Sequence, residues 1–305
     1  MRIGVMLDAG APLKSVLSQF MQAEDAGFAS AWLPNIFAND ALTVLALAGA
    51  RTNRIELGTS VVPTFPRHPS ALAQQALTVQ AATGARLTLG IGLSHKPVIE
   101  QMMGLDFGKP VRHMREYLAA LTALLSGQPA AFDGDVYRIH MQLSVPDAPP
   151  PPVLVAALGP QMLNVAGRMA AGTITWMGGP TYLAQDVVPV ITAAAQEAGR
   201  PAPRIVAGFP IAVTDQVEAA KAAARRVFAV YATLPSYRAI LDREGVADAA
   251  GVALIGNEQV VAAQVARLSA AGVTDLICSF YPVKEDPDAQ ARSYAALAKL
   301  AVLQG

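Results

Sequence analysis

The sequence is poor in cysteine and in charge. One cysteine, Cys278, occurs in 305 residues, so no internal disulfide can form, and we expect a reducing, cytoplasmic setting. Charged residues make up only 15% of the chain, and 23 basic residues balance 23 acidic ones. No cluster of Lys and Arg occurs, which argues against a nucleic-acid surface.

Long hydrophobic runs are also missing. The apolar stretch that follows Arg2 ends at Asp8, so it is too short for a signal peptide. No later run approaches the length of a membrane-spanning helix. We therefore expect a soluble protein without a membrane partner.

Several chemical signatures are absent as well. Gly90-Ile91-Gly92 begins like a dinucleotide fingerprint, but His95 stands where the third glycine belongs. No complete nucleophile elbow or phosphate-binding loop occurs, and the four histidines have no metal-ligand spacing. A kinase, a serine hydrolase and a zinc enzyme are therefore poor interpretations, and we expect no metal.

A repeated unit is present instead. A helix-like stretch, a small residue followed by glycine, and a short apolar run recur at Gly27, Gly84, Gly172 and Gly272. Glycine at such a position closes a helix, and the apolar run is typical of a strand buried on both faces. Repetition of this unit predicts parallel strands joined by helices.

The number of strands favours closure into a barrel. We predict strands near residues 3–7, 30–33, 55–61, 86–90, 153–156, 173–176, 205–213 and 275–280. Eight strands in one chain favour an α/β fold of the (βα)8 TIM-barrel class, as a single domain over residues 1–305. Two longer segments, 94–112 after the fourth strand and 128–152 before the fifth, are insertions, the second with a small hairpin.

The polar residues of interest follow the predicted strands, where such barrels keep their chemistry. Gly159-Pro160 opens a helix directly after the fifth strand, which leaves free backbone N–H groups for an anion, although an ordinary turn has the same sequence. His95 and Lys96 lie in a long loop after the fourth strand, which favours a functional role. His68 can equally cap the next helix, and we expect His113 and His140 to be structural or surface residues.

At these residues the sequence resembles the luciferase-like family of flavin- and deazaflavin-dependent oxidoreductases. The most specific stretches are residues 57–61 with Arg67-His68-Pro69, residues 89–95 and residues 156–163. The branch that uses coenzyme F420 is most similar, through residues 31–35 and 40–43. Homodimerisation is what this resemblance implies.

The resemblance also implies where a cofactor lies. A cis peptide at Ser60-Val61 would back the cofactor ring, glycines 90 and 92 would line it, and the turn after the fifth strand would hold its phosphate. The cofactor-binding residues predicted in this way are Pro34, Asn35, Thr59, Ser60, Val61, Gly90, Gly92, Ser94, His95, Ala157, Leu158, Gly159, Pro160, Gln161, Met162 and Trp176.

One departure from the family concerns the proton donor. Many relatives have an Asp-His pair after the second strand, where this chain has Asn35-Ile36. Hydride transfer to a double bond requires a proton at its other end. The candidates are His95, His68, Tyr182, Tyr281 or a water molecule, and His95 is preferred. The candidate catalytic residues are His95, His68 and Asn35.

Three functions follow from the resemblance. The first is an F420-dependent oxidoreductase that transfers a hydride between the deazaflavin and a small, apolar organic substrate, either reducing C=C, C=N or C=O or oxidising an alcohol. The second is an FMN-dependent two-component monooxygenase. The third is a flavin-binding barrel without catalytic activity, which the missing Asp-His pair makes conceivable.

Overall fold

Strands and helices alternate along residues 1–304, which are the residues that this computed structural model describes. The strands are β1 (Arg2–Met6), β2 (Ser30–Leu33), β3 (Glu56–Thr59), β4 (Val62–Pro63), β5 (Leu87–Gly92), β6 (Ala130–Asp133), β7 (Arg138–Met141), β8 (Val153–Ala156), β9 (Gly172–Trp176), β10 (Arg204–Val213), β11 (Leu254–Gly256) and β12 (Asp275–Phe280).

The helices lie mainly between the strands. They are α1 (Leu13–Asp25), α2 (Ala41–Gly49), α3 (Pro69–Ala82), α4 (Pro110–Leu125), α5 (Pro160–Met169), α6 (Pro180–Tyr182), α7 (Val188–Glu197), α8 (Val217–Val227), α9 (Pro235–Arg243), α10 (Glu258–Ala270) and α11 (Ala289–Gln304). Short helical turns occupy Val98–Met102, Leu183–Val187, Ala229–Thr233 and Ala249–Gly251. No helix within residues 1–304 is long and apolar enough to span a membrane.

Eight parallel strands close into a barrel. Their order is β1, β2, β3, β5, β8, β9, β10 and β12, and β12 pairs again with β1. The prediction of a (βα)8 barrel is therefore confirmed. Gly27, Gly84 and Gly272 have positive φ and close the preceding helices as predicted, because glycine adopts this conformation without a steric cost.

The barrel interior is ionic at one end and apolar above it. At the amino-terminal end of the strands, Arg204 donates to Asp275 at 2.7 Å and to Glu56 at 3.0 Å, and Arg2 donates to Glu56 at 2.6 Å. Above this layer the interior is filled by Trp32, Leu154, Ile174, Val206 and Ile277. The open end is the carboxyl end of the strands.

The predicted third strand is interrupted. β3 ends at Thr59 and the chain pairs with β5 again only at Val62, with one extra residue relative to β5. The Thr59 hydroxyl donates to the Gly90 carbonyl at 2.8 Å and accepts from the Gly90 N–H at 2.9 Å. This side chain replaces the missing backbone pairing across the bulge.

Of two segments outside the regular barrel repeat, one was predicted and one was not. The insertion before the fifth barrel strand contains the expected hairpin, β6 and β7. The segment 229–251 and β11, which pairs with the end of β10, were not predicted. Residues 229–251 form helical pieces that are each too short for a clear periodicity.

Candidate active site

The floor of the barrel mouth is apolar. Met6, Val61 and Ala156, at the ends of three different strands, are partly exposed and pack on the interior cluster around Trp32. A floor of this kind suits a planar ring, because no buried polar group has to be desolvated.

The bulge after β3 supplies one side of the mouth. The Ser60–Val61 peptide bond is cis, as the resemblance implies. A Cβ at Gly92 would lie 2.7 Å from Val61 Cγ2 and 3.0 Å from Ala156 Cβ, and one at Gly90 would lie 2.1 Å from the Thr59 carbonyl oxygen. These glycines are therefore required by packing of the protein on itself, and a role at the cofactor stays a prediction.

The turn from β8 into α5 has the properties of an anion site. Gly159 is the N-cap of α5 and supplies no side-chain hydrogen bond to the first turn. Pro160 has no N–H, so the N–H groups of Gln161 and Met162 are the donors at this end. A Cβ at Gly159 would have no heavy atom within 4 Å, so the space in front of these donors is open.

The other predicted residues of this turn contribute backbone rather than side chains. Ala157 and Met162 are buried and pack into the main core. The Leu158 carbonyl accepts a hydrogen bond from the Tyr182 hydroxyl, and the Tyr182 N–H donates to Glu244 at 2.5 Å. Tyr182 and Glu244 thus hold the turn in place.

Two tyrosines considered as proton donors are engaged elsewhere. The Tyr182 hydroxyl donates to Leu158, and the Tyr281 hydroxyl donates to the Ala220 carbonyl at 3.2 Å. Burial raises the pKa of both hydroxyls. Neither tyrosine is therefore well suited to deliver a proton to a substrate.

His95 is different. Its imidazole makes no hydrogen bond to another residue within 1–304, and its ring centroid lies 6.1 Å from that of Tyr237. Burial lowers the pKa of His95, so the ring is neutral at pH 7. Ser94, directly before it, has a positive φ of 61° and helps to turn the loop at the end of β5.

His68 and Asn35 each accept a backbone hydrogen bond at the start of a helix. His68 is exposed and accepts from the Ser70 N–H at the start of α3, and its ring packs against Tyr137. Asn35 Oδ1 accepts from the Ala41 N–H at 2.9 Å at the start of α2. The capping role weighed for His68 is confirmed, and Asn35 keeps an amide nitrogen that donates to no other described residue.

Of the remaining histidines one is structural and one lies on the surface, as expected. His113 is buried, its Nε2 lies 2.9 Å from Thr64 Oγ1, and its ring stacks on Phe65 with centroids 3.9 Å apart. His140 is exposed and lies 2.9 Å from Asp133 in the hairpin.

Trp176 stands at the end of β9. Its indole N–H is buried, and no residue within 1–304 accepts from it in hydrogen-bonding geometry. The rings of Phe228 and Tyr231 pack around the indole, with centroids 5.9 and 6.1 Å from its centroid. Sequence reasoning missed these neighbours and Glu244, since all of them come from the region after β10 that has no clear pattern.

The chain matches a known protein family over most of its length. The model of a family described as luciferase-like monooxygenase matches residues 1–275. A 5,10-methylenetetrahydromethanopterin reductase of Methanolobus tindarius is 26% identical over 94% of this chain and 88% of its own. An F420-dependent glucose-6-phosphate dehydrogenase of Intrasporangium calvum is 32% identical over 58% of each chain.

Solved structures have the same fold. The coenzyme F420-dependent tetrahydromethanopterin reductase of Methanopyrus kandleri superposes with a TM-score of 0.82 at 22% identity, over 99% of each chain. A type II Baeyer–Villiger monooxygenase of Pseudomonas putida, solved with FMN, has a TM-score of 0.78 at 17% identity and covers 100% of this chain and 98% of its own.

Proposed function

Since the chain belongs to the luciferase-like monooxygenase family, we propose that it is a coenzyme F420-dependent oxidoreductase that transfers a hydride between the deazaflavin and a small apolar substrate. Relatives whose names include F420 support the cofactor. The apolar floor formed by Met6, Val61 and Ala156 supports an apolar substrate.

The turn at Gly159 is the observation on which the proposal depends most. An uncapped helix start with open space before it fits the phosphate of such a cofactor. The indole N–H of Trp176, which lies beside Tyr231, fits a polar atom of a bound ring or substrate. When bound, the deazaflavin supplies two-electron hydride chemistry with little reactivity toward oxygen.

We propose that His95 is the residue that exchanges a proton with the substrate. Because burial lowers the pKa of His95, the neutral imidazole is suited to accept a proton from a substrate hydroxyl. In its neutral form, His95 therefore assists the oxidation of an alcohol rather than the reduction of a double bond. A reduction would require the protonated ring, which burial disfavours.

The His95 assignment predicts a specific kinetic effect. His95→Ala should reduce turnover at pH 7 by about 100-fold, within the range for a positioned general base, and change cofactor affinity little. His140→Ala, on the exposed hairpin, is the matched control. Steady-state turnover with an alcohol substrate and a cofactor titration measure the two effects, and unchanged turnover would remove His95 from the mechanism.

A cofactor titration tests the function itself. We expect the apoprotein to bind coenzyme F420 with micromolar or better affinity, followed by fluorescence. Binding of FMN alone would contradict the proposal. A panel of enones, imines and alcohols then separates an enzyme from a protein that only binds the cofactor.

An FMN-dependent two-component monooxygenase is the second candidate. Its support is the similarity of fold to a monooxygenase solved with FMN, and the turn at Gly159 suits the FMN phosphate equally well. Oxygen consumption with reduced FMN, in the presence of an apolar ketone, would favour this candidate.

A further inference from the structure

An open groove runs along the outside of the barrel next to the turn at Gly159. It has a volume of about 540 Å³ and is lined by Val111, Arg115, Pro160, Gln161, Asn164 and Val190, from α4, α5 and α7. Pro160 and Gln161 are the first residues of α5. The groove therefore includes the helix start that forms the proposed phosphate site.

Among residues 1–304, the lining of this groove contains one charged side chain, that of Arg115. No carboxylate lines it, and the guanidinium of Arg115 forms no ion pair within residues 1–304. The side-chain oxygen Oδ1 of Asn164 accepts a hydrogen bond from Arg168 Nε at 3.2 Å, so the side-chain nitrogen Nδ2 of Asn164 remains available as a donor. Arg168 itself is paired with Glu197.

A neighbouring groove provides a contrast. It shares Arg115, but Glu116 and Asp135 also line it. The Glu116 carboxylate accepts the N–H groups of Val136 and Tyr137, and Asp135 pairs with Arg112. An anionic chain that leaves the Gly159 turn therefore meets attraction in the first groove and carboxylates in the second.

The two candidate cofactors differ at this point. FMN ends at its phosphate, whereas coenzyme F420 continues beyond the phosphate through a lactyl group to a chain of glutamates. We propose that the groove between α4 and α5 binds this carboxylate-bearing tail, with Arg115 as its main cation and the amides of Gln161 and Asn164 as hydrogen-bond donors. The inference rests on the proposed function, and it gives F420 a contact that FMN lacks.

The test compares three ligands on the full chain by fluorescence titration. They are F420 with several glutamates, FMN, and the deazaflavin core that carries the ribityl chain but no phosphate or glutamates. The variants are Arg115→Gln and Arg115→Glu, and the control is Arg267→Glu, an exposed arginine on α10 without an ion pair within residues 1–304.

We expect Arg115→Gln to weaken F420 binding about fivefold at low salt, the upper range of an exposed ion pair. Arg115→Glu should weaken it further, and added salt should reduce both differences. Binding of FMN and of the deazaflavin core should not change in either variant. Equal F420 affinity in the Arg115 variants and the Arg267 control would overturn this inference alone, whereas a wild-type chain that binds FMN but not F420 would overturn the proposed function and this inference together.

Discussion

The substitution Gly159→Ala, which adds one methyl group, tests the proposed phosphate site. The φ of −97° and ψ of 157° at Gly159 suit alanine, and a Cβ there meets no protein atom within 4 Å. Gly159→Ala should therefore leave the melting temperature unchanged. It should weaken F420 binding about tenfold, because the methyl group obstructs a charge-assisted hydrogen bond to the Gln161 or Met162 N–H.

Gly90→Ala is the contrasting change. A Cβ at Gly90 would collide with the Thr59 carbonyl oxygen at 2.1 Å, so this variant should lose stability whether or not a ligand is present. Thermal unfolding and fluorescence titration of both variants separate the two effects. Wild-type cofactor affinity in Gly159→Ala would place the phosphate elsewhere.

The buried imidazole of His113 should make stability depend on pH. Burial lowers the pKa of His113 to about 4, against 6.5 when exposed. Below pH 6.5 the unfolded chain binds a proton that the folded chain does not, so stability falls as the pH is lowered and is restored as it is raised.

Between pH 7 and pH 5 this loss should amount to about 2 kcal/mol. His113→Gln, which does not titrate, should show a correspondingly flatter dependence in urea unfolding, and His140→Gln should behave like the wild type. Equal slopes for His113→Gln and the wild type would show that His113 is not responsible. An NMR titration of His113 in the wild type gives the same information if the variant does not fold.

At the scale of the element, the hydroxyl of Thr59 joins β3 to β5 across the bulge. Thr59→Val keeps the shape but leaves the Gly90 N–H and carbonyl unpaired inside the protein, at a cost of about 2 to 4 kcal/mol. Thr59→Ser retains the hydroxyl and should lose much less. Urea unfolding of both variants measures the difference, and equal losses would assign the effect to the methyl group.

The strands also show how much of the secondary structure the sequence patterns predict. The strands 30–33, 153–156 and 275–280 were predicted at their observed bounds, because each is a short run of mainly apolar residues that follows a helix-closing glycine or a proline and precedes a turn with glycine or proline. The interruption of the third strand was not predicted, and only the cis peptide at Ser60-Val61 was expected from the resemblance. No local pattern reveals that a side chain at Thr59 takes over the pairing.

The region 229–251 was missed for a related reason. Tyr231, Tyr237 and Glu244 reach the mouth only because this region folds back over β9 and the loop after β5, which are distant in sequence. Such contacts depend on tertiary structure rather than on periodicity. The residues that follow barrel strands could be proposed from the sequence, and those supplied from this region could not.

At the scale of the molecule, Arg204 connects strands from opposite parts of the chain. It contacts Asp275 of β12, Glu56 of β3 and Thr88 of β5. Arg204→Met would leave two largely buried carboxylates with less compensation, so we expect a loss of about 3 kcal/mol. Arg292→Met, which breaks surface pairs with Asp215 and Glu258, should cost below about 1 kcal/mol.

Urea unfolding at neutral pH compares these two variants. The alternation that predicts strands does not show that an arginine and two carboxylates meet inside the barrel, since they are far apart in sequence. A loss in Arg204→Met no larger than in Arg292→Met would mean that the ionic layer contributes nothing to closure of the barrel.

The positions of the two tryptophans have an optical consequence. Trp32 is 0% exposed and its indole N–H donates to Ser30 at 2.8 Å, so its emission should be blue and inaccessible to iodide until the barrel opens. A yellow chromophore in the mouth would quench both tryptophans by energy transfer, because Trp176 stands at the mouth and Trp32 packs directly beneath its floor. Iodide quenching of the blue emission therefore reports on the integrity of the barrel, the total emission reports on occupancy of the mouth, and no label is needed to record either.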